Sequence, residues 1–132
     1  MKATVLDSYA MLAYLEREEG YKQVASRFER SVTHGDEIFL CVVNWGEVMY
    51  NTLRKKGEQT AQLAEDTMRS LPIHIIDAGK ELTLQAARYK AIHKMSFDDA
   101  YAAALAKLKK AELITGDKEF KPLEKEIKIL WI

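Results

Sequence analysis

The sequence predicts an α/β domain in which a mainly parallel, five-stranded sheet is flanked by helices on both faces. Three observations carry this expectation. Short apolar runs alternate with helix-periodic stretches of ten or more residues along the whole chain. Strands joined by connections that long pair in parallel through right-handed crossovers. Apolar residues make up 48% of the chain and charged residues 30%, a balance that excludes disorder and fibrous repeats. At 132 residues the chain has the length of one domain, so a single domain over 1–132 is expected, with a core that needs no disulfide or metal staple.

Residues 3–6 form the first strand candidate. Residues 8–18 follow with helical spacing at Met11, Leu12 and Leu15, and 21–32 repeat it with Val24, Ala25 and Phe28. The run 38–43 is the second strand. Helices are expected over 45–56 and 58–70, the second stopped by Pro72. A third strand at 73–76, helices at 80–93 and 97–110, and a fourth strand at 112–115 come next. The alternation of Ile127, Ile129 and Trp131 makes the fifth. No internal repeat interrupts the order.

Several function classes drop out at once. The longest apolar run, 38–43, is far short of the about 20 residues that cross a bilayer, and the first residues lack the apolar stretch of a signal peptide. No membrane association is expected, and the cytoplasm is the expected location. A single cysteine, Cys41, sits in an apolar run and excludes zinc-finger and dithiol chemistry. His34, His74 and His93 show no metal-ligand spacing. Twenty basic residues balance twenty acidic ones, so total charge neither favours nor opposes a polyanionic partner.

In parallel sheets ligands bind beyond the carboxyl ends of the strands. Four acids fall there. Asp7 directly follows the first strand, where the ordinary reading is a helix N-cap. Glu47 comes three residues after Asn44, in the pattern of a capping box, and helical phase alone permits it a solvated position. Asp98 and Asp99 open the stretch FDDAYAAALA, which is apolar on nearly every side. A helix apolar all round is buried, and carboxylates at its head are costly unless paired or bound to a cation. With Ser96 as N-cap, Asp99 shares the face of Ala102, Ala103 and Ala106, whereas Asp98 lies toward Tyr101 and Leu105. Asp117 follows the fourth strand in a Gly-Asp turn.

One sheet would gather Asp7, Glu47, Asp99 and Asp117 at a single edge. Carboxylates 4 Å apart repel by about 4 kcal/mol per pair at an effective dielectric near 20, so something positive must offset them. Oxygen ligands without Cys or His select magnesium or manganese, and such ions suit phosphodiester hydrolysis.

The four stretches Val5-Leu6-Asp7-Ser8-Tyr9-Ala10, Val43-Asn44-Trp45-Gly46-Glu47-Val48, Ser96-Phe97-Asp98-Asp99-Ala100 and Thr115-Gly116-Asp117-Lys118-Glu119-Phe120 resemble, in order, the acidic motifs of PIN-domain ribonucleases, in particular VapC-type toxins of toxin-antitoxin pairs. The resemblance spans nearly the whole chain and implies a three-layer PIN-like domain. It makes Asp7, Glu47, Asp99 and Asp117 the catalytic, metal-binding carboxylates of a magnesium- or manganese-dependent endoribonuclease. Ser8, Asn44 and Thr115 become supporting groups, and Asp98 an additional acid beside the expected one. Tyr9 departs from the small Ser or Thr of the pattern and narrows the expected cleft. An RNA substrate, a homodimer and a neutralising antitoxin are implied as well. Two rivals stand beside this one. A phospho-acceptor signalling module would use Asp77, although the first strand ends in one acid instead of two and no lysine follows the fifth strand. A catalytically silent binding protein on the same fold would not need all four acids.

Overall fold

The computed structural model describes residues 2–132. In chain order the elements are β1 (Ala3–Leu6), α1 (Ser8–Leu15), α2 (Tyr21–His34), β2 (Glu37–Cys41), α3 (Val42–Lys56), α4 (Glu58–Ser70), β3 (His74–Ile76), α5 (Lys80–Ile92), α6 (Phe97–Lys109), β4 (Glu112–Thr115), a 3-10 helix (Lys118–Leu123) and β5 (Ile129–Trp131). The five strands lie in the order β3-β2-β1-β4-β5. Every pairing is parallel, so the sheet expected to be mainly parallel is wholly so.

Successive residues of each strand point to opposite faces. Val5, Phe39, Cys41 and Leu113 pack with α5 and α6, joined by Phe120 and Leu123 of the 3-10 helix. Leu6, Ile38, Leu40 and Ile114 pack with α1 and α2, with Val48 of α3 and Met68 of α4. Two cores therefore sandwich the sheet, which accounts for strands apolar at nearly every position. Residues 99–106 of α6 are all buried. Its alanines are strong helix formers and small enough to let neighbouring elements approach closely.

Some element ends differ from the sequence expectation, each for a tertiary reason. The first helix stops at Leu15, because Arg17 and Gly20 take positive φ values of 52° and 97° and turn the chain back toward α2. β2 ends at Cys41, where its register with Ile76 of β3 ends, and Val42 and Val43 open α3 instead of closing the strand. Asn44 accordingly lies inside the first helical turn, with Cys41 as N-cap. The capping box expected from Asn44 and Glu47 does not form: the Asn44 amide Nδ2 donates to the Asp98 carbonyl at 3.0 Å instead. Ile127 is buried outside β5, where its amide closes on the Leu123 carbonyl at 2.9 Å.

Ion pairs gather at the amino end of the sheet. Arg27 meets Glu112 at 2.6 Å and Arg30 meets Asp36 at 2.8 Å. The Lys2 amide and the Arg30 guanidinium hold the Asp36 carboxyl below its usual range. Gly20 enters α2 with its Cα against Ile132; a Cβ there would fall 2.8 Å from Ile132 Cδ1. Gly20→Ala combines that overlap with a left-handed backbone, and is expected to lower unfolding free energy by about 1 to 3 kcal/mol. Urea denaturation should show a lower midpoint with an unchanged slope, and an unchanged midpoint would contradict the packing described.

Candidate active site

Chain connections run one way from β1 to β2 and the other way from β4 to β5, while β1 and β4 are neighbours. A crevice opens where the strand order reverses in this manner. Asp7 leaves β1 at that point. As N-cap of α1 it accepts the Ala10 amide on Oδ1 at 2.8 Å, while Oδ2 accepts the hydroxyl of Thr115, the last residue of β4.

From Thr115 a continuous series of hydrogen bonds crosses to α6. The Asp117 amide donates to Thr115 Oγ1 at 2.9 Å, and the Glu119 amide donates to Asp117 Oδ1 at 2.9 Å. The Ser96 amide donates to Glu119 Oε1 at 3.2 Å, and the Asp99 amide to Ser96 Oγ at 3.1 Å. Glu47 joins from α3, where Ser8 Oγ donates to its Oε1 at 2.6 Å. Asp7, Asp117 and Ser96 are thus ordinary caps of their helices, and those same bonds fix the carboxylates. Capping and site geometry are one arrangement.

Asp7, Glu47, Asp99 and Asp117 line a single cleft of about 380 Å³, together with Ser8, Tyr9, Asn51 and Glu119. Carboxylate oxygens of Asp99, Asp117 and Glu119 lie within 4.8 Å of one another. Among the described residues, none of these acids forms a salt bridge with a Lys, Arg or His side chain. Burial pushes the Asp7 carboxyl up to about 7, opposed by the bonds from Thr115 and Ala10 and reinforced by the charges of Asp117 and Glu47. Asp99 rises to about 9, first by burial, then by the neighbouring Glu119 and Asp117 carboxyls, and by the charges of Asp117 and Asp7. Glu47 is raised by burial and by Asp98, although the Ser8 hydroxyl pulls it down. Such a set of hard oxygen donors, short of positive charge, fits a small divalent cation.

The remaining expected residues occupy supporting positions. Thr115 is fully buried between Asp7 and Asp117. Asn44 is buried and touches the Asp98 backbone, not a carboxylate; its Oδ1 has no partner. Asp98 is half-buried beside Glu47 and does not line the cleft. Glu119 is the one acid of the cleft that the sequence analysis did not single out. Its signal is the Asp-x-Glu spacing of Asp117 and Glu119, two acids that the turn after β4 brings into the same cleft. Asp77 lines a different cavity with Lys80, Leu105 and Lys109, away from these acids. His34 contacts Thr33, His74 packs near Phe39 and His93 near Tyr89; none lines the cleft.

Residues 4–126 match the family model of the PIN domain. Among solved structures, VapBC2 from Rickettsia felis bound to a DNA fragment from its promoter is similar at a TM-score of 0.78, with 16% identity and 97% of each chain covered. DNA-bound VapBC from Salmonella typhimurium is similar at 0.78, with 14% identity and 98% of each chain covered. VapC20 from Mycobacterium tuberculosis, a sarcin-ricin loop cleaving toxin, gives 0.72 and 16% identity, covering 90% of this chain and 93% of that one. No curated protein sequence matches the chain significantly.

The raised carboxyls set a pH dependence for the metal-free protein. Asp7 and Asp99 start from an ordinary carboxyl value of 3.8 and reach about 7 and about 9 in the fold. Between those limits the folded state binds more protons than the unfolded one, so stability is greatest below the unfolded value and falls as pH rises. Denaturation in EDTA at pH 5, 7 and 9 should show that decline, and Asp99→Asn should flatten it between 7 and 9. Equal declines for both proteins would mean that Asp99 ionises freely in the fold.

Proposed function

The chain belongs to the PIN domain family, and from that premise we propose that it is a metal-dependent endoribonuclease, the toxin of a toxin-antitoxin pair. The observation that carries this is the single cleft holding Asp7, Glu47, Asp99 and Asp117, none of which forms a salt bridge among the described residues.

Asp7, Asp99 and Asp117, with Glu119 beside them, would hold a magnesium or manganese ion, and Glu47 would complete the site from α3. When bound, such an ion makes water nucleophilic near neutral pH and stabilises the charge that develops on the leaving oxygen of a phosphodiester. The residues of the chain have the work of holding donors in place. Thr115 and the Ala10 amide fix both oxygens of Asp7, so that its orientation is set before any ligand enters. Ser8 turns Glu47 toward the same opening. Asn44 ties α3, which carries Glu47, to the first turn of α6, which carries Asp99. Burial and the neighbouring acids hold the Asp99 carboxyl up at about 9, so a cation held there would favour its ionised form and its binding would release protons.

Support for RNA as substrate, and for an antitoxin partner, comes from the VapBC complexes and the sarcin-ricin loop cleaving toxin among the similar structures. A homodimer acting in the cytoplasm completes the proposal. Among the described residues, no helix is long and apolar enough to cross a membrane. The phospho-acceptor rival loses its ground because Asp77 stands apart from the acidic cleft.

The deciding experiment is cleavage of RNA with manganese. Asp7→Asn and Asp99→Asn are expected to lose more than the about 10- to 100-fold typical of changes to groups that merely support ligands. Asp98→Asn should keep most of the activity, since its side chain lies outside the cleft. Excess EDTA should stop the wild type, and undiminished cleavage in EDTA would refute the proposal. Magnesium should also raise the melting temperature of wild type more than that of Asp99→Asn; equal shifts would remove Asp99 from the ligand set.

A further inference from the structure

Tyr9 stands in the first turn of α1, two residues beyond Asp7, and 45% of it faces solvent. The rest of its ring packs against Gly116, in the turn between Thr115 and Asp117. A Cβ at Gly116 would fall 2.3 Å from the ring Cε1 and 2.5 Å from Cζ, so only glycine there admits the ring. Tyr9 also forms part of the cleft wall with Asp7, Asp99 and Asp117, and it is the one aromatic residue lining that cleft among the described residues.

These features describe a stacking surface. The ring is backed at Cε1 and Cζ by Gly116, the residue is partly exposed, and it lines the cleft of the carboxylates at which a phosphate would react. Every base has a π-face, so an aromatic ring beside a phosphate site gains affinity without requiring one sequence. The neighbouring cleft residues Leu12, Asn51 and Ser96 offer no second ring. A base already stacked on both sides within a duplex has no face to offer Tyr9, whereas an unpaired base in a loop or single strand does.

Resting on the nuclease proposed above, we infer that Tyr9 stacks on the base of a nucleotide flanking the scissile phosphate. Tyr9 contacts substrate and plays no part in holding the cation.

The test uses the full chain, manganese and a short single-stranded RNA that the wild type cuts, together with copies carrying one abasic nucleotide at each position flanking the cut. Removing one flanking base should lower wild-type kcat/KM about 5- to 150-fold, mainly through KM. Tyr9→Phe should behave as wild type. Tyr9→Leu should lose a similar factor on intact RNA, and lose little more when the flanking base is absent, because ring and base act as a pair. The manganese-induced rise in melting temperature should be the same for wild type and Tyr9→Leu. A complementary strand that makes the RNA a duplex should suppress cleavage.

If Tyr9→Leu and the abasic change lower kcat/KM by independent factors, or if wild type tolerates every abasic position, stacking is overturned while the nuclease stands. The abasic series on wild type alone decides the matter should Tyr9→Leu fail to fold. A wild type that cuts no RNA overturns the nuclease itself, and the stacking with it.

Discussion

The carboxyl end of this sheet depends on one constraint, the burial of acid groups that form no salt bridge among the described residues. Asp7 is 1% exposed and Asp99 is 6% exposed, and both face Asp117. Burial and repulsion each oppose ionisation, and the fold answers them with protons and a network of donors instead of lysines or arginines. At the amino end, by contrast, Asp36 and Glu112 are each paired with an arginine. The same residue type is therefore neutralised in two ways on one sheet.

Local structure and site geometry are coupled through helix caps. An N-cap side chain must satisfy a free amide of the first turn, which directs one of its oxygens inward. Asp7 spends one oxygen in that way, and Thr115 engages the other across the central strand pair. Ser96 does the same for Asp99, and Asp117 for Glu119. Because each cap belongs to a different element, the shape of the cleft is set by the docking of β1, β4, α6 and the 3-10 helix. A rigid donor set reduces the reorganisation needed when a charged ligand arrives.

Burying these acids opposes stability, and the two cores on either side of the sheet offset it. The alanine-rich face of α6 lets the helix carrying Asp99 lie close to β1 and β4. A larger residue at Ala102 or Ala103 would push that helix outward and move the carboxylate with it. Function and packing thus press on the same short stretch of sequence, consistent with the general opposition between stability and a charged active site.

Much was determined by the sequence alone. Period and punctuation sufficed to order the strands and helices, since β1, β4 and α4 occupy the expected residues and the other elements differ mainly at their ends. The four acids could be assigned to one edge because a parallel sheet has only one carboxyl end, and the Ser96 cap distinguished Asp99 from Asp98 through helical phase. Tertiary structure decided what local pattern cannot. The start of α3 was set by where β2 ceases to pair with β3 and by the pull of the Asp98 carbonyl on Asn44, contacts between residues distant in sequence. Glu119 entered the cleft because the tight 3-10 turn after Asp117 places both acids on one side, whereas an extended backbone would also have been compatible with that spacing. The neighbourhood of Tyr9 and Gly116 depends on the close approach of α1 to the turn after β4. Local propensity acts over a few residues, and it carries no information about which distant segment will arrive to complete a site.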